Sequence, residues 1–476
     1  MVNIEQHKNL LKVSYVNKEG NIELMDIEVP EKEYFKWGYS TATGSKKYKS
    51  WDNKPIKKIK TNYLDKYRIT EFLLTQSEEV QSKLFDLHTP KIYFVDIETE
   101  ILDEFPNPEN PKSQIYCISI VSQTNKVISL STKPLLKGQE DQIKKELNEY
   151  FKDFEYDIKY EFILFNTEYD MLYTFFKKYV KRMPTITGWN FVGFDWPYLI
   201  SRAKYLNVDP SMCSPTGKMM ETRITNNLDK TTVTVMMPLH KMVVDYLQVY
   251  KKWDNIVSTK ENDSLDYVSE TVLGVHKLHY SSSLTDLYNN NYKDYILYNA
   301  IDSYLVKLIH EKLNSIAPYF ALGAITKVEH HKVYSSIAMI ENIMCIELLK
   351  HNKILVKNED KEIDENKEYV GGFVFPVVPG FYENLITFDY ASLYPTTIRQ
   401  HNISPEIYLG KSETLDLKHK EENVIYCASG AKFDKTEHGV LPMILTKIYK
   451  ERRAAKKIYG DIEAEIKYLK EKLKTK

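Results

Sequence analysis

Apolar and polar positions change period several times along the chain, and each change marks an element. Residues 13–29 alternate around Asn17-Lys-Glu-Gly20, which predicts a β-hairpin closed by a glycine turn. Residues 70–87 follow helical spacing, and Pro90 ends this first module. Ile92, Tyr93, Phe94 and Val95 then form a β-branched and aromatic run, the mark of a buried strand, and Asp96, Ile97 and Glu98 follow at once. Beyond a proline-rich connection at 103–114, strands are predicted over 115–130 and 162–166, and helices over 138–154 and 171–180. Thr187-Gly-Trp-Asn-Phe-Val-Gly-Phe-Asp195-Trp-Pro predicts a strand, a turn and a helix start. Pro197 falls in the first helical turn, where its missing N–H costs nothing. Residues 223–236 predict a polar hairpin, 240–253 and 292–313 predict helices, and 317–353 is helical again. Residues 357–368 hold a single apolar residue, Ile363, and predict a surface loop. Strands over 373–378 and 385–388, a β-rich stretch at 424–432 and one long helix from 442 to 476 complete the pattern.

At 476 residues the chain has room for about three domains of ~100–200 residues each. No apolar run approaches the ~20 residues of a membrane span, and the N-terminal MVNIEQHKNLL lacks the apolar core of a secretion signal. Cys117, Cys213, Cys345 and Cys427 lie far apart with no Cys-x-x-Cys spacing, which predicts reduced structural thiols, neither zinc ligands nor disulfides. The net charge of −1 means that a polyanionic partner must be met by a local basic surface. Two stretches qualify. Lys46, Lys47, Lys49, Lys57, Lys58 and Lys60 suit either a solvated face or phosphate contact. In residues 442–476, eleven Lys and Arg outnumber five acids.

The acids are the candidate chemistry. Asp96 and Glu98 stand two apart on a strand and so project from one face. Carboxylates that close repel unless a cation lies between them, and hard divalent cations suit such an all-oxygen set. A solvated acidic turn is the alternative for this pair taken alone. Asp195 suits a helix cap or a ligand. Tyr298 and Asp302, four apart, share one helix face, where an acid among apolar neighbours is an awkward choice for a purely structural role.

Taken in order, Asp96 and Glu98, Asp195 after Asn190, and Asp302 after Tyr298 resemble the three motifs of the DEDDy 3′–5′ exonucleases. Asp389-Tyr-Ala-Ser-Leu-Tyr-Pro395 resembles motif A of family B DNA polymerases, and Tyr369-Val-Gly-Gly372 resembles the family's Tyr-x-Gly-Gly motif. The likeness is greatest to the replicative polymerases of T-even-like bacteriophages. It runs from the first hairpin to the last helix, through the 223–236 hairpin and Lys277 of Gly274-Val-His-Lys277. The resemblance implies a multidomain α/β chain: a ribonuclease H-like exonuclease domain with a mixed sheet, an N-terminal β-rich/α domain and a partial α+β palm. The implied boundaries are 1–90 with 316–358 returning to it, 91–315 for the exonuclease, 359–441 for the palm and 442–476 for the first fingers helix.

The resemblance further implies two Mg²⁺ or Mn²⁺ ions held by Asp96, Glu98, Asp195 and Asp302, with Asp96 bridging both. One ion would make hydroxide from water and the other would stabilise the leaving 3′-oxygen. Tyr298 would orient the water and Lys277 would neutralise the scissile phosphate. Phe191 and Phe194 could stack on terminal bases or be plain core. For polymerisation, Asp389 would be one of two palm metal acids, with Ser392, Leu393 and Tyr394 about the nucleotide and Tyr394 beneath the deoxyribose. Arg452 and Lys456, four apart, would present two cations to a triphosphate. Implied partners are primer-template and single-stranded DNA, dNTPs and, through the complex, a sliding clamp. No membrane is implied, and the place of action is the cytoplasm of an infected bacterium. The family's Asp-Thr-Asp motif and its Lys-x-x-x-Asn-Ser-x-Tyr-Gly fingers helix do not occur in these residues. The expectation is therefore the N-terminal half of a polymerase, either a natural split product or a truncation, with the split form favoured and its C-terminal half supplying both. A stand-alone exonuclease with a vestigial palm, and a non-enzymatic DNA-binding or assembly subunit, are the other readings.

Overall fold

The structure is a computed structural model that describes residues 1–41, 44–101, 106–225, 232–253, 262–280, 283–356, 374–412 and 421–474. It divides into two compact units, Met1–Pro30 with Gln76–Met339, and Glu31–Thr75 with Ile340–Lys476. The Tyr369-Val-Gly-Gly372 motif, the predicted loop at 357–368 and the hairpin tip at 226–231 lie outside the described residues.

In the first unit the apolar run after Pro90 becomes strand β1, Ile92–Thr99. Antiparallel pairing joins it to β2 (Ile115–Ser122) and β2 to β3 (Lys126–Ser131). Parallel pairing adds β4 (Lys159–Leu164) beside β3, then β5 (Thr185–Gly188) beside β1 and β6 (Met242–Asp245) beside β5. The order β4-β3-β2-β1-β5-β6 makes a mixed six-stranded sheet of ribonuclease H-like arrangement. Three helices matter for the site: α1 (Asp195–Tyr205), α2 (Leu265–Leu273) and α3 (Tyr292–Leu313).

Strand alternation explains why both faces of the sheet are covered. Ile92 and Phe94 belong to the core built with α2 and α3, whereas Val95 and Ile97 belong to the core built with α1. Burying each such side chain contributes about 1.5–3 kcal/mol. A one-residue register slip would send Asp96 and Glu98 into the α1 core, so the register is strongly fixed.

Several predicted elements differ from the observed ones. Residues 70–87 are two helices, Lys66–Leu74 and Glu78–Phe85, because Ser77 caps the second by accepting from the Val80 N–H. Residues 240–253 are helical only from Tyr246. Met242-Val-Val-Asp245 is fully buried and pairs with β5, so tertiary burial claims this short run for the sheet. The 317–353 stretch is broken into Ile316–Thr326, a short 3₁₀ turn and Ser336–Lys350, with Lys327 left-handed (φ 54°) at the break. The strands predicted over 373–378 and 385–388 are absent from the described residues 374–390, which carry no regular structure. A strand needs a ladder partner, and none pairs with them among the described residues.

The second unit pairs Phe35–Tyr39 with Ile56–Lys60 over a small core of Phe35, Trp37, Ile56, Ile354 and Val356. Its seven lysines between positions 46 and 60 are exposed, with the Lys58 ammonium 3.9 Å from the centre of the Phe35 ring. A three-stranded sheet of Tyr408–Lys411, Val424–Tyr426 and Ala431–Asp434 lies beside helices Leu393–Gln400 and Val440–Lys474 in sequence. Among the described residues no helix is long and apolar enough to cross a membrane.

Candidate active site

Because Asp96 and Glu98 continue the Ile92–Phe94 face of β1, they point at α3, and Tyr298 and Asp302 lie on the facing side of that helix. Oxygens of Asp96, Glu98 and Asp302 fall within 4.8 Å of one another. The Lys277 ammonium lies 2.5 Å from Asp302 Oδ2 and 4.9 Å from the centre of the Tyr298 ring. The Tyr298 hydroxyl lies close enough to Asp302 and Lys277 to interact electrostatically with both. Asp195 stands outside this close group. Its Oδ1 accepts the Ile97 N–H at 3.2 Å, which ties the start of α1 to β1. Phe194, not Asp195, occupies the cap position, so the plain capping role does not apply.

The electrostatics are those of an acid cluster short of positive charge. Burial and the neighbouring Asp302 push Asp96 up to about 8, against the pull of Lys277 and Asn299. Burial, then Asp96 and Asp302, raise Glu98 well above the carboxylate range, and burial with Asp96 raises Asp195 likewise. Asp302 is raised by burial despite the opposing Lys277 and Tyr298. Burial works against the Lys277 charge, but Asp302 and Tyr298 outweigh it and the lysine stays protonated. Asp96 and Glu98 are only half-buried, so solvent reaches the cluster. One buried oxygen of Asp302, Oδ1, has no hydrogen-bond partner among the described residues. An orphaned carboxylate oxygen beside two half-open acids fits a divalent cation bound by oxygen.

Residues that the motif pattern did not single out hold this geometry. Asn299 Nδ2 donates to Asp96 Oδ2 at 2.7 Å, from the turn of α3 between Tyr298 and Asp302. Ser119, opposite Asp96 in register, donates to the Asn299 carbonyl at 3.0 Å and meets the Ser303 hydroxyl, so two small residues let α3 sit close on the sheet. Asp245, at the end of β6, accepts from the Val192 N–H at 2.9 Å, the Gly193 N–H at 3.3 Å and the Gln248 N–H at 3.2 Å. It thereby fixes the turn that delivers Asp195. Gly188 is needed there too: a Cβ would stand 2.3 Å from the Val95 carbonyl oxygen. The only advance signal for Asn299 and Asp245 was a polar residue in an otherwise apolar run. Phe191 is fully buried core, while Phe194 is half-buried and stacks on Tyr198 at 5.6 Å.

The polymerase-type residues present a different picture. Asp389, Leu393 and Tyr394 are exposed, and Ser392 sits left-handed (φ 54°) before helix Leu393–Gln400. Arg452 and Lys456 are exposed on helix Val440–Lys474. No side-chain hydrogen bond or ion pair to Asp389, Tyr394, Arg452 or Lys456 is formed among the described residues.

Residues 47–268 match the family described as DNA polymerase family B, exonuclease domain, and residues 328–471 match DNA polymerase family B. The chain is 28% identical over 412 residues to the DNA-directed DNA polymerase of Escherichia phage RB69, an alignment covering 83% of this chain and 44% of that one. It is 28% identical over 304 residues to the enzyme of the same name from Enterobacteria phage T4, covering 62% and 33%. It is 29% identical over 318 residues to the DNA polymerase delta catalytic subunit of Dictyostelium discoideum, covering 61% and 27%. The chain thus spans less than half the length of these relatives. With two matches in the family's order and acids, lysine and tyrosine gathered on one sheet end, the chain belongs to the family B DNA polymerases.

Proposed function

We propose that residues 91–315 form a 3′–5′ exodeoxyribonuclease that proofreads for a replicative DNA polymerase. The carrying observation is the convergence of Asp96, Glu98 and Asp302 with Lys277 and Tyr298 at one solvent-reached end of the sheet. Asp96, Glu98, Asp195 and Asp302 would hold Mg²⁺ or Mn²⁺, two ions in this reading, which when bound supply an activated water and charge stabilisation for phosphodiester hydrolysis. The chain's own groups do the rest. Tyr298 directs its hydroxyl at the attacking water, and Lys277, protonated and mobile at the end of its stem, exchanges Asp302 for the phosphate it neutralises. The water oxygen bonds phosphorus as the 3′-oxygen of the preceding nucleotide leaves with a proton, releasing a 5′-nucleotide.

The polymerase reading has its own support. The motif around Asp389 sits in a run of exposed apolar residues, among them Val374 (84% exposed), Phe381 (107%) and Phe388 (87%). Such a surface is costly in water and calls for a covering partner. In this reading residues 359–441 are part of a palm and 442–476 begin the fingers. The second palm acid, the return fingers helix and the thumb, none of which occurs in these residues, would come from further polymerase sequence outside them. The interface with that sequence should exceed ~2,000 Å², as obligate ones do. Substrates are then single-stranded DNA, primer-template and dNTPs, with the clamp reached through the complex and the infected host's cytoplasm as the setting.

The test uses the purified chain with 5′-labelled single-stranded DNA and Mg²⁺ or Mn²⁺. Stepwise shortening from the 3′ end is expected, with no primer extension until a polypeptide carrying the missing motifs is added. Failure to digest overturns the exonuclease reading. Extension by these residues alone overturns the reading of 359–476 as an incomplete palm and fingers.

A further inference from the structure

A second group of metal-ligating side chains lies where α2 hands over to the Lys277 segment. His276 and His279 flank Lys277 in the run His276-Lys-Leu-His279, and Asp266 and Glu270 stand one turn apart on α2. One ligand atom each from Asp266, His276 and His279 falls within 4.8 Å of the others. His276 Nε2 lies 3.2 Å from Glu270 Oε1, and its Nδ1 lies 3.5 Å from Asp266 Oδ1. Ring nitrogen Nε2 thus faces Glu270 while Nδ1 faces Asp266. That is the carboxylate–histidine arrangement that orients a metal-ligating imidazole. The 3.5 Å separation is long for a strong hydrogen bond. It matches two ligands at ~2.1 Å on a tetrahedral ion, which lie roughly 3.4 Å apart.

We propose that Asp266, His276 and His279 bind one borderline transition-metal ion of the Zn²⁺ class, with Glu270 orienting His276. The ligand set separates this site from the acid cluster on β1. Imidazole nitrogens favour Zn²⁺, Co²⁺ or Ni²⁺, whereas all-oxygen sets favour Mg²⁺. Asp266 already accepts the Lys277 N–H at 2.7 Å. An ion there pins the segment from both sides, and with it the Lys277 side chain that reaches Asp302. His276 and His279 are exposed, so an ion reaches them freely and their replacement leaves the core intact.

Co²⁺ titration of chelator-treated full chain tests the site through its visible ligand-field band. The assay is run in a D96A/E98A background, so neither the acid cluster nor exonuclease activity enters the result, and its outcome is separable from the exonuclease proposal. One equivalent of Co²⁺ should produce the band, and Zn²⁺ should quench it. Replacing His276 or His279 by Ala should weaken binding by at least roughly tenfold, with the metal-free melting temperature unchanged. Absence of the band, or a band of equal affinity in H276A/H279A, overturns the proposal.

Discussion

Two regions of this chain carry acids of polymerase-family type, and they are in opposite physical states. On β1 the acids stand at the end of a central strand with both faces packed, their backbone register locked and their partners Asn299, Lys277 and Tyr298 in place. Around Asp389 the same kind of residue sits in an exposed run without regular structure, and its side chain makes no hydrogen bond or ion pair among the described residues. The difference lies in the neighbours. A catalytic carboxylate needs surroundings that raise the cost of its charge until a cation answers it, and a sheet closed on both sides supplies them. An acid in an unpaired segment keeps its hydration and has nothing to hold a metal with.

The sharpest way to break this contrast is to remove the acids. Asp96→Ala with Glu98→Ala should abolish 3′–5′ digestion while the chain stays folded, because the two carboxylates repel each other and their loss removes strain from the metal-free state. Asp389→Ala should leave digestion unchanged. Both are read by degradation of labelled single-stranded DNA alongside circular dichroism. Digestion that survives in the double variant places the chemistry elsewhere.

How much of this was legible beforehand follows the same line. Period-two alternation and a two-residue spacing were enough to put Asp96 and Glu98 on one strand face, since those rules are local. The helix carrying Tyr298 and Asp302 was legible from its period and length. Strand β6 was not, because Met242-Val-Val-Asp245 is four residues long and only burial beside β5 decides its state. Asp245 went unnoticed for the same reason, its role being a contact 52 and 53 residues away with the Val192–Gly193 turn. The strands expected over 373–378 and 385–388 show the converse: a strand-like composition does not make a strand where no ladder partner is present among the described residues.

A subtler cut leaves all the acids in place. Tyr298→Phe removes the hydroxyl that interacts electrostatically with Lys277 and Asp302 but keeps the ring, which packs at 5.4 Å on Tyr280. Turnover should fall by roughly 10²–10⁴-fold, the range for a positioned group acting on the reacting water. Mg²⁺ or Mn²⁺ affinity, measured by titration, should change little. Equal turnover in the variant removes this tyrosine from the chemistry, and a parallel loss of metal affinity makes it a structural prop of Asp302.

Asp245→Ala probes the support that the Asp389 region lacks. The carboxylate accepts three backbone N–H groups, two of them in the turn leading to Asp195. Stranding a buried donor costs about 1–3 kcal/mol, so a loss of a few kcal/mol is expected, read by urea denaturation. Asp245→Asn keeps one acceptor oxygen and should lose less. Equal stability of the alanine variant would mean the turn holds itself.

The smallest effect expected is also the one that reads the cluster as a whole. Asp96 titrates at about 8 in the fold against 3.8 when free, and Glu98, Asp195 and Asp302 are raised as well. A carboxyl whose folded value is raised binds its proton more tightly folded than unfolded. Its contribution to stability is full below the unfolded value and is lost as pH climbs through the folded one. The metal-free chain should therefore weaken between about pH 4 and pH 8 on account of these groups. A divalent cation takes the place of the missing protons, so Mg²⁺ should raise the melting temperature more at pH 8 than at pH 5.5. For units of this size each kcal/mol is worth about 2–4 °C, so a difference of a few degrees between the two pH values is expected by calorimetry. Asp96→Asn with Glu98→Gln should flatten both the pH slope and the Mg²⁺ shift, and Asp389→Asn should leave the Mg²⁺ shift as it was. A Mg²⁺ shift that is equal at the two pH values, or that survives in the Asn/Gln variant, would mean the cation stabilises the chain from somewhere other than the end of β1.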